Sequence, residues 1–551
     1  MQRGLLLVAM LSAVATIACA DNTKPQDKGK PEPAVAQYFK NDDTGSDSSV
    51  SVEGSGVSYH AVAGTIVVHP KGWDDVTQSV EEESGAPSNP ETEAAQKGPQ
   101  AQKEPNARAS MFYVYYAKGG EKPENRPITF LYNGGPGSST VWLHMGAFGP
   151  RRVITANDTH TPAAPYQLVN NDYSLLDASD LVFIDAPGTG FSRVTGKDKE
   201  KSFYGVDPDA WAFSEFISSF LSKYGRWNSP KYLFGESYGT PRSAVVVNML
   251  ETDRSIDFNG VMLLSQILSF DMSADEPDSN PGVDLPYMVA LPTYAATAWY
   301  HNRLPGKRPP DLQKFLGEVQ RFAMGTYSQA LQAGAALNSK QRLMIANRLH
   351  QYTGLPVWYI LKADLRINGG EFEKNLQGQQ DITTGRLDTR FQGPTMDPLS
   401  KEADYDPQSA SISSAYVSAF NDYVRRELHY GYGKAYKPEI ELWRHWNFQH
   451  QPPGAPIPLP VATNTIPDLS TAMKYNPRLR VMLLGGYFDL ATPYYEGIYE
   501  MRHLQIPRAL QRNIEYHYYP SGHMVYANEQ SLKMLHDHAA DFIRRTDNLN
   551  H

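Results

Sequence analysis

The stretch that most constrains this chain is Gly235-Glu236-Ser237-Tyr238-Gly239, set between the short apolar run Tyr232-Leu233-Phe234 and a helix-compatible stretch from Thr240 to Leu250. Between a strand and a helix, glycines at both ends let the backbone bend sharply, so the serine hydroxyl stands clear of the turn. The N–H after the serine can then stabilise an oxyanion. A Gly-x-Ser-x-Gly match by itself is common in long chains, and its plainer reading is a glycine-bounded turn. What decides between the two is the company the serine keeps.

That company is an alternation of strands and helices. Tyr59–His69, Ser110–Ala117, Pro127–Tyr132, Leu181–Asp185 and Gly260–Leu268 read as strands, and Asp209–Lys223 has helical spacing through Trp211, Phe213, Phe216, Ile217, Phe220 and Leu221. Alternation of this kind builds a mostly parallel sheet with helices on both faces. It stops at about Phe270, and helical stripes follow: Leu312, Phe315, Leu316, Val319, Phe322 and Ala323; then Leu343, Ile345, Ala346 and Leu349; then Val417, Phe420, Val424 and Leu428. The second stripe opens at Asn338/Ser339 and closes at Gly354. Strand signals resume at Leu479–Leu484 and Ile514–Tyr519, so the helices read as a cap inserted into the sheet domain. The expected division is a signal over 1–20, a flexible leader over 21–55, the core over 56–269 and 477–551, and the mostly helical cap over 270–476.

Met1-Gln2-Arg3 followed by the apolar run Gly4–Ala18 has the form of an export signal, with Ala18-Cys19-Ala20 as a small-x-small cleavage pattern. Cleavage after Ala20 is the first reading and lipidation of Cys19 the second. The run is too short to span a bilayer, and no other apolar run reaches the length needed. Cys19 is the single cysteine, so the exported protein forms no internal disulfide. Asp21–Ser55 is Lys-, Asp-, Pro-, Gly- and Ser-rich without apolar periodicity, and Glu81–Asn106 reads as a polar loop. A net charge of −9 with no long Lys/Arg run argues against nucleic acid as a partner.

A serine nucleophile needs a base and a carboxylate that holds the base in the right tautomer. Asp489 follows the strand Val481-Met482-Leu483-Leu484 within Gly485-Gly486-Tyr487-Phe488-Asp489, and His523 follows another within Pro520-Ser521-Gly522-His523-Met524. Ser, acid, His is the chain order of α/β-hydrolases. Asn133-Gly134-Gly135-Pro136-Gly137 after the strand ending at Tyr132 brings backbone N–H groups close to a ligand or makes a tight turn. Asp185, at a strand end, is read as a cap for loop N–H groups ahead of a catalytic part. His445 and His450 lack the i, i+4 spacing of a helical metal site, so neither metal nor cofactor is expected, and the pair reads as surface or cap residues.

Taken together, Asn133–Gly137, Asp185–Ser192, Gly235–Gly239, Gly486–Leu490 and Gly522–Val525 resemble the serine carboxypeptidases, a family of the α/β-hydrolase fold. Gly385-Arg386-Leu387-Asp388-Thr389-Arg390-Phe391 and Phe420–Arg425 look like its bacterial branch. The resemblance implies Ser237 as nucleophile, His523 as base and Asp489 as its orienting acid, with the Gly135 and Tyr238 N–H groups as the oxyanion hole. It further implies that Asn133, the Gly134 N–H and Glu236 hold the free carboxylate of a peptide's last residue. Peptides with a free C-terminus are then the substrates. The chain departs from the family pattern at Leu131, Ala186 and Gly239-Thr240, which bear on the shape of the substrate pocket, and at Ser138, which stands where a disulfide cysteine is common and fits the absence of disulfides. An esterase or acyltransferase on the same scaffold is the alternative, and a non-catalytic binding protein would be marked by a missing triad member.

Overall fold

The computed structural model describes residues 37–39, 42–73 and 106–549. The readings of residues 1–20, including Cys19, and nearly all of the Glu81–Asn106 insertion lie outside the described residues. Nine strands make the main path of the central sheet: β1 (Thr44–Val52), β2 (Ser55–Val68), β3 (Arg108–Lys118), β4 (Ile128–Tyr132), β5 (Asp180–Ile184), β6 (Lys231–Glu236), β7 (Gly260–Leu264), β8 (Arg480–Gly486) and β9 (Ile514–Tyr519). Their spatial order is β1-β2-β3-β5-β4-β6-β7-β8-β9, with Arg193–Thr195 added against β3. The first three are joined antiparallel, and every neighbouring pair from β5 to β9 is parallel.

Strands β4 to β7 are buried at every position, as a parallel sheet covered on both faces requires. Side chains alternate between the faces. Tyr232 and Phe234 of β6 join one apolar cluster, while Leu233 joins the other. The helices that supply the covers are α1 (Val206–Tyr224), α2 (Gly239–Arg254), α3 (Leu285–Tyr300), α4 (Leu312–Phe322), α5 (Ser339–Thr353), α6 (Pro407–Arg426), α7 (Ile466–Tyr475), α8 (Tyr494–Arg502) and α9 (Glu529–Thr546). Leu233's side is covered by α1, α2 and α7, and Phe234's side by α6 and α9. A third cluster, built by α3, α4 and α5 with Phe488 and Leu490, is the cap's own core. Among the described residues, no helix is long and apolar enough to cross a membrane.

Three expectations are corrected here. Residues 44–52 are not part of a flexible leader but pair throughout with β2, through a turn at Glu53 and Gly54 that has positive φ at both positions. The strand escapes sequence reading because only Val50 and Val52 are apolar in an edge strand of Ser, Asp, Gly and Thr. The helical region from 270 to 476 is not all cap, since Phe420, Val424 and Leu428 pack on one sheet face and Leu469 and Met473 on the other. An amphipathic helix shows an apolar stripe whichever surface it covers, so the stripe does not name its partner. Finally, His450 is no surface residue: it is 4% exposed, with Nδ1 on Asp207 at 2.5 Å and Nε2 on Asp468 at 2.7 Å. Burial pulls this imidazole down, but the hydrogen bonds to Asp207 and Asp468 outweigh it and push it up to about 9. His450 therefore ties the coil before α7 to α1 through an imidazolium.

The chain runs outward from β4 to β5, then crosses back over β4 to β6. The connections leaving β4 and β6 thus diverge, and a crevice opens between the C-terminal ends of these two neighbours. Asn133-Gly134-Gly135 leaves β4 there and Ser237 leaves β6. The site is placed by topology before any side chain is considered.

Candidate active site

Ser237 follows β6 with φ of +59°, in the left-handed region where a side chain is strained. The turn is held by its neighbours: the Ser237 N–H donates to the Leu264 carbonyl at 3.0 Å, and Thr240 donates to the Ser237 carbonyl through both N–H and Oγ1 at 2.8 Å. A Cβ on Gly134 would overlap the Tyr238 amide nitrogen and Ser237 Cβ, so only glycine lets the β4 loop lie against the elbow. Among the described residues, neither the Gly135 nor the Tyr238 N–H donates to a backbone acceptor.

Asp489 and His523 come from the ends of β8 and β9 and meet at 2.9 Å between Oδ2 and Nδ1. Asp489 is wholly buried, and Thr492 donates to both of its oxygens, from N–H at 3.0 Å and Oγ1 at 2.8 Å. Burial draws the His523 imidazole down, yet the Asp489 charge and hydrogen bond, with Glu236 behind them, leave it above its ordinary value. Ser237 and His523 line one cavity of about 230 Å³ with Asn133, Gly134, Gly135 and Glu236.

Glu236 sits under this cavity and accepts the Tyr526 hydroxyl at 3.1 and 2.8 Å. Burial pushes its carboxyl up to about 7 against the lowering pull of His523, Tyr526 and Asn133. Asn133 is itself fixed at both ends: its Oδ1 accepts the Leu143 N–H at 3.1 Å and its carbonyl accepts Arg242 Nη1 at 2.7 Å. On the other side of Ser237 lies a cleft of about 580 Å³, reached past Tyr238, Phe270, Glu373 and Trp443; Gly135, Ser237, Arg386 and Leu387 line both spaces. Ser237 therefore stands at a junction between a small chamber and a larger trough. A bigger cavity, about 850 Å³ beside Trp211 and Asp468, is lined by none of these residues.

All eight residues singled out from sequence thus gather at one place. Asp185 is not among them: its Oδ1 accepts the Thr140 N–H at 2.9 Å and Oγ1 at 2.7 Å, a loop cap. Sequence reading missed Arg242, whose Nε meets Asp209 Oδ2 at 2.6 Å beneath the elbow, although an arginine one turn after the elbow, just ahead of the apolar run Ala244–Val247, was a signal for it. It missed Tyr526 and Thr492 as well, whose partners become visible only in three dimensions. One further trio, Glu53, His536 and Asp537, has a metal-like arrangement, but Lys533 already bridges Glu53 and Asp537 at 2.7 and 3.1 Å.

A family model described as serine carboxypeptidase matches residues 95–536. The pheromone-processing carboxypeptidase KEX1 of Phytophthora infestans is 30% identical over 146 residues, which is 24% of this chain and 22% of that protein. Serine carboxypeptidase-like 13 of Arabidopsis thaliana is 26% identical over 191 residues, 33% of this chain and 40% of its own. These alignments therefore span well under half the length of the curated relatives. Among solved structures, the KEX1 prohormone-processing carboxypeptidase of Saccharomyces cerevisiae superposes with a TM-score of 0.50 over 89% of this chain and 91% of its own, at 15% identity, which shows a shared α/β-hydrolase fold.

Proposed function

Because this chain belongs to the serine carboxypeptidase family, we propose that it hydrolyses the C-terminal peptide bond of peptides through an acyl-enzyme on Ser237. His523 takes the Ser237 proton as the oxygen adds to the scissile carbonyl, and Asp489 holds the imidazolium so formed. The Gly135 and Tyr238 N–H groups receive the oxyanion, at the N-terminus of α2 whose dipole favours negative charge. His523 then passes the proton to the departing amine, the last residue leaves as a free amino acid, and water repeats the sequence to release the shortened peptide. The observation that carries this reading is the small chamber beside Ser237, lined by Asn133 and by the buried Glu236 carboxyl, which burial pushes up to about 7. Such a chamber suits one residue ending in a carboxylate, with the Asn133 amide, the Gly134 N–H and the Glu236 carboxyl as donors.

Glu236 and His523 line the same cavity, and each feels the other's charge. One proton less than full occupancy gives either Glu236 neutral with His523 neutral, or Glu236 ionised with His523 charged, and only the first both binds a carboxylate and accepts the serine proton. A bound substrate carboxylate repels ionised Glu236 and so selects the productive form. KM for a free-acid peptide is expected to rise above about pH 7, approaching about tenfold per pH unit as the competent fraction falls. Glu236→Gln is expected to flatten that rise and to leave matched peptide amides unchanged. Blocked dipeptide acids and amides, followed by mass identification of the product, test both points. Equal cleavage of acids and amides, with the same KM profile in wild type and variant, would move the reading to the esterase or acyltransferase.

Residues 1–20 extend the proposal to an exported enzyme. Its mature N-terminus is expected at Asp21, or at a lipid-bearing Cys19, by mass spectrometry of protein from its native host. Active protein that retains Met1 would exclude export by this route.

A further inference from the structure

The cap loop Gly385–Phe391 reaches both loops that carry the proposed acid and base. On the histidine side, the Leu387 carbonyl accepts the His523 N–H at 2.7 Å, Asp388 Oδ2 accepts the Gly522 N–H at 3.1 Å, and Arg390 Nη2 donates to Ser521 Oγ at 3.3 Å. On the acid side, the Thr389 N–H donates to the Phe488 carbonyl at 2.9 Å and the Leu490 N–H to the Arg386 carbonyl at 3.1 Å. A Cβ on Gly522 would overlap the Asp388 side chain, so the two loops approach as closely as glycine allows.

The loop is itself rigidly held. Asp388 is 0% exposed and takes Arg390 side-on, Nε to Oδ1 at 2.9 Å and Nη2 to Oδ2 at 2.5 Å. Burial pushes the Asp388 carboxyl up, and Arg390 with the Arg390 and Gly522 N–H groups pulls it back. Asp406 Oδ1 accepts the N–H groups of Arg386 and Leu387 at 2.7 and 3.2 Å, while Thr389 Oγ1 meets Thr297 Oγ1 of α3 at 2.6 Å.

His523 lies in an irregular segment after β9, where no ladder of strand hydrogen bonds fixes it. Its hydrogen bond to Asp489 sets the ring tautomer but does not set where the backbone stands. Two bonds do that: Ser265 Oγ donates to the His523 carbonyl at 2.8 Å from the sheet side, and Leu387 accepts its N–H from the cap side. We propose that the buried Asp388–Arg390 pair is a positioning device for His523, so that docking of the cap loop and assembly of the Ser-His-Asp geometry are one event. This rests on the triad reading given above.

Removing one partner of a buried pair strands the other charge, so a second variant is needed in case the first fails to fold. Asp388→Asn keeps an acceptor for the Gly522 N–H but loses the charge; Asp388→Leu with Arg390→Met removes both charges and fills the space. In each, the rate of fluorophosphonate labelling of Ser237 and kcat are expected to fall together by about 10²-fold, the cost of a misplaced catalytic group. The downfield NMR resonance of the proton between His523 and Asp489 is expected to move or vanish. Arg390→Lys, which keeps the charge, is expected to retain most of the rate. If the double variant folds and labels at the wild-type rate with an unmoved resonance, the positioning part is overturned. If wild type does not label at Ser237, the triad reading fails instead, and the resonance alone still decides whether Asp388 positions His523.

Discussion

Ser237→Ala is expected to lower kcat by about 10⁶-fold, the scale seen when a triad nucleophile is deleted. The oxygen that forms the acyl bond disappears while the Gly135 and Tyr238 N–H groups and the chamber at Asn133 and Glu236 stay in place, so KM for a free-acid peptide should hardly move. The same variant should lose fluorophosphonate labelling entirely. His523→Ala should cost about as much, and combining the two should add little, because the residues act as one unit. Asp489→Ala should cost less, about 10⁴-fold. Ser237→Gly carries a further consequence: at φ of +59° a glycine is unstrained, so that variant should be inactive yet at least as heat-stable as wild type. Labelling at another serine in Ser237→Ala would displace Ser237 from its proposed part.

Arg242→Met is expected to destabilise the fold by about 3–5 kcal/mol, since it strands the Asp209 carboxylate beneath the elbow without its partner. Arg242 and Asp209 are 2% and 1% exposed, and the guanidinium lies over the Phe213 ring at 4.4 Å. Burial already pushes the Asp209 carboxyl up, with Arg242 opposing. Without Arg242 the carboxyl rises further, so the variant should lose less stability at low pH, where Asp209 is neutral in both states, and more as pH rises. Asp209→Leu with Arg242→Met should recover most of the melting temperature, because an apolar pair of similar volume removes the stranded charge. Activity should not return with it: Arg242 Nη1 also donates to the Asn133 carbonyl, and the loop that carries the Gly135 N–H loses that tie. Thermal melts of the single and double variants at two pH values, beside kcat, check this. A double variant with full activity would reduce Arg242 to a packing residue.

Much of the sheet was legible because its strands are short apolar runs with clear punctuation. The strand signal over Ile514–Tyr519 has the bounds of the strand itself, and Pro127–Tyr132 differs from its strand by one residue. What escaped was sequence without an apolar signature or with an ambiguous one. β1 is made of Ser, Asp, Thr and Gly with two valines, and its identity comes from the partner it pairs with. The stripe on α6 reads from sequence as part of the cap, but the same Phe420 and Val424 cover the sheet. His450 carried no local sign that two carboxylates from distant segments would close on it.

By itself the sequence determined the strand-turn-helix around Ser237, the order Ser, Asp, His along the chain, and the placing of Asn133, Asp489 and His523 just after strands. These follow from backbone chemistry over a few residues: glycine where a turn must be sharp, period two in strands, period 3.6 in helices. Only the tertiary structure decided that β4 and β6 are neighbours whose connections diverge, that Ser237 stands between two unequal cavities, that Glu236 is buried enough to stay protonated to about pH 7, and that a cap loop grips the His523 backbone. Those outcomes depend on which surfaces bury each other and on the field inside the packed site, and neither is encoded in any short stretch of chain.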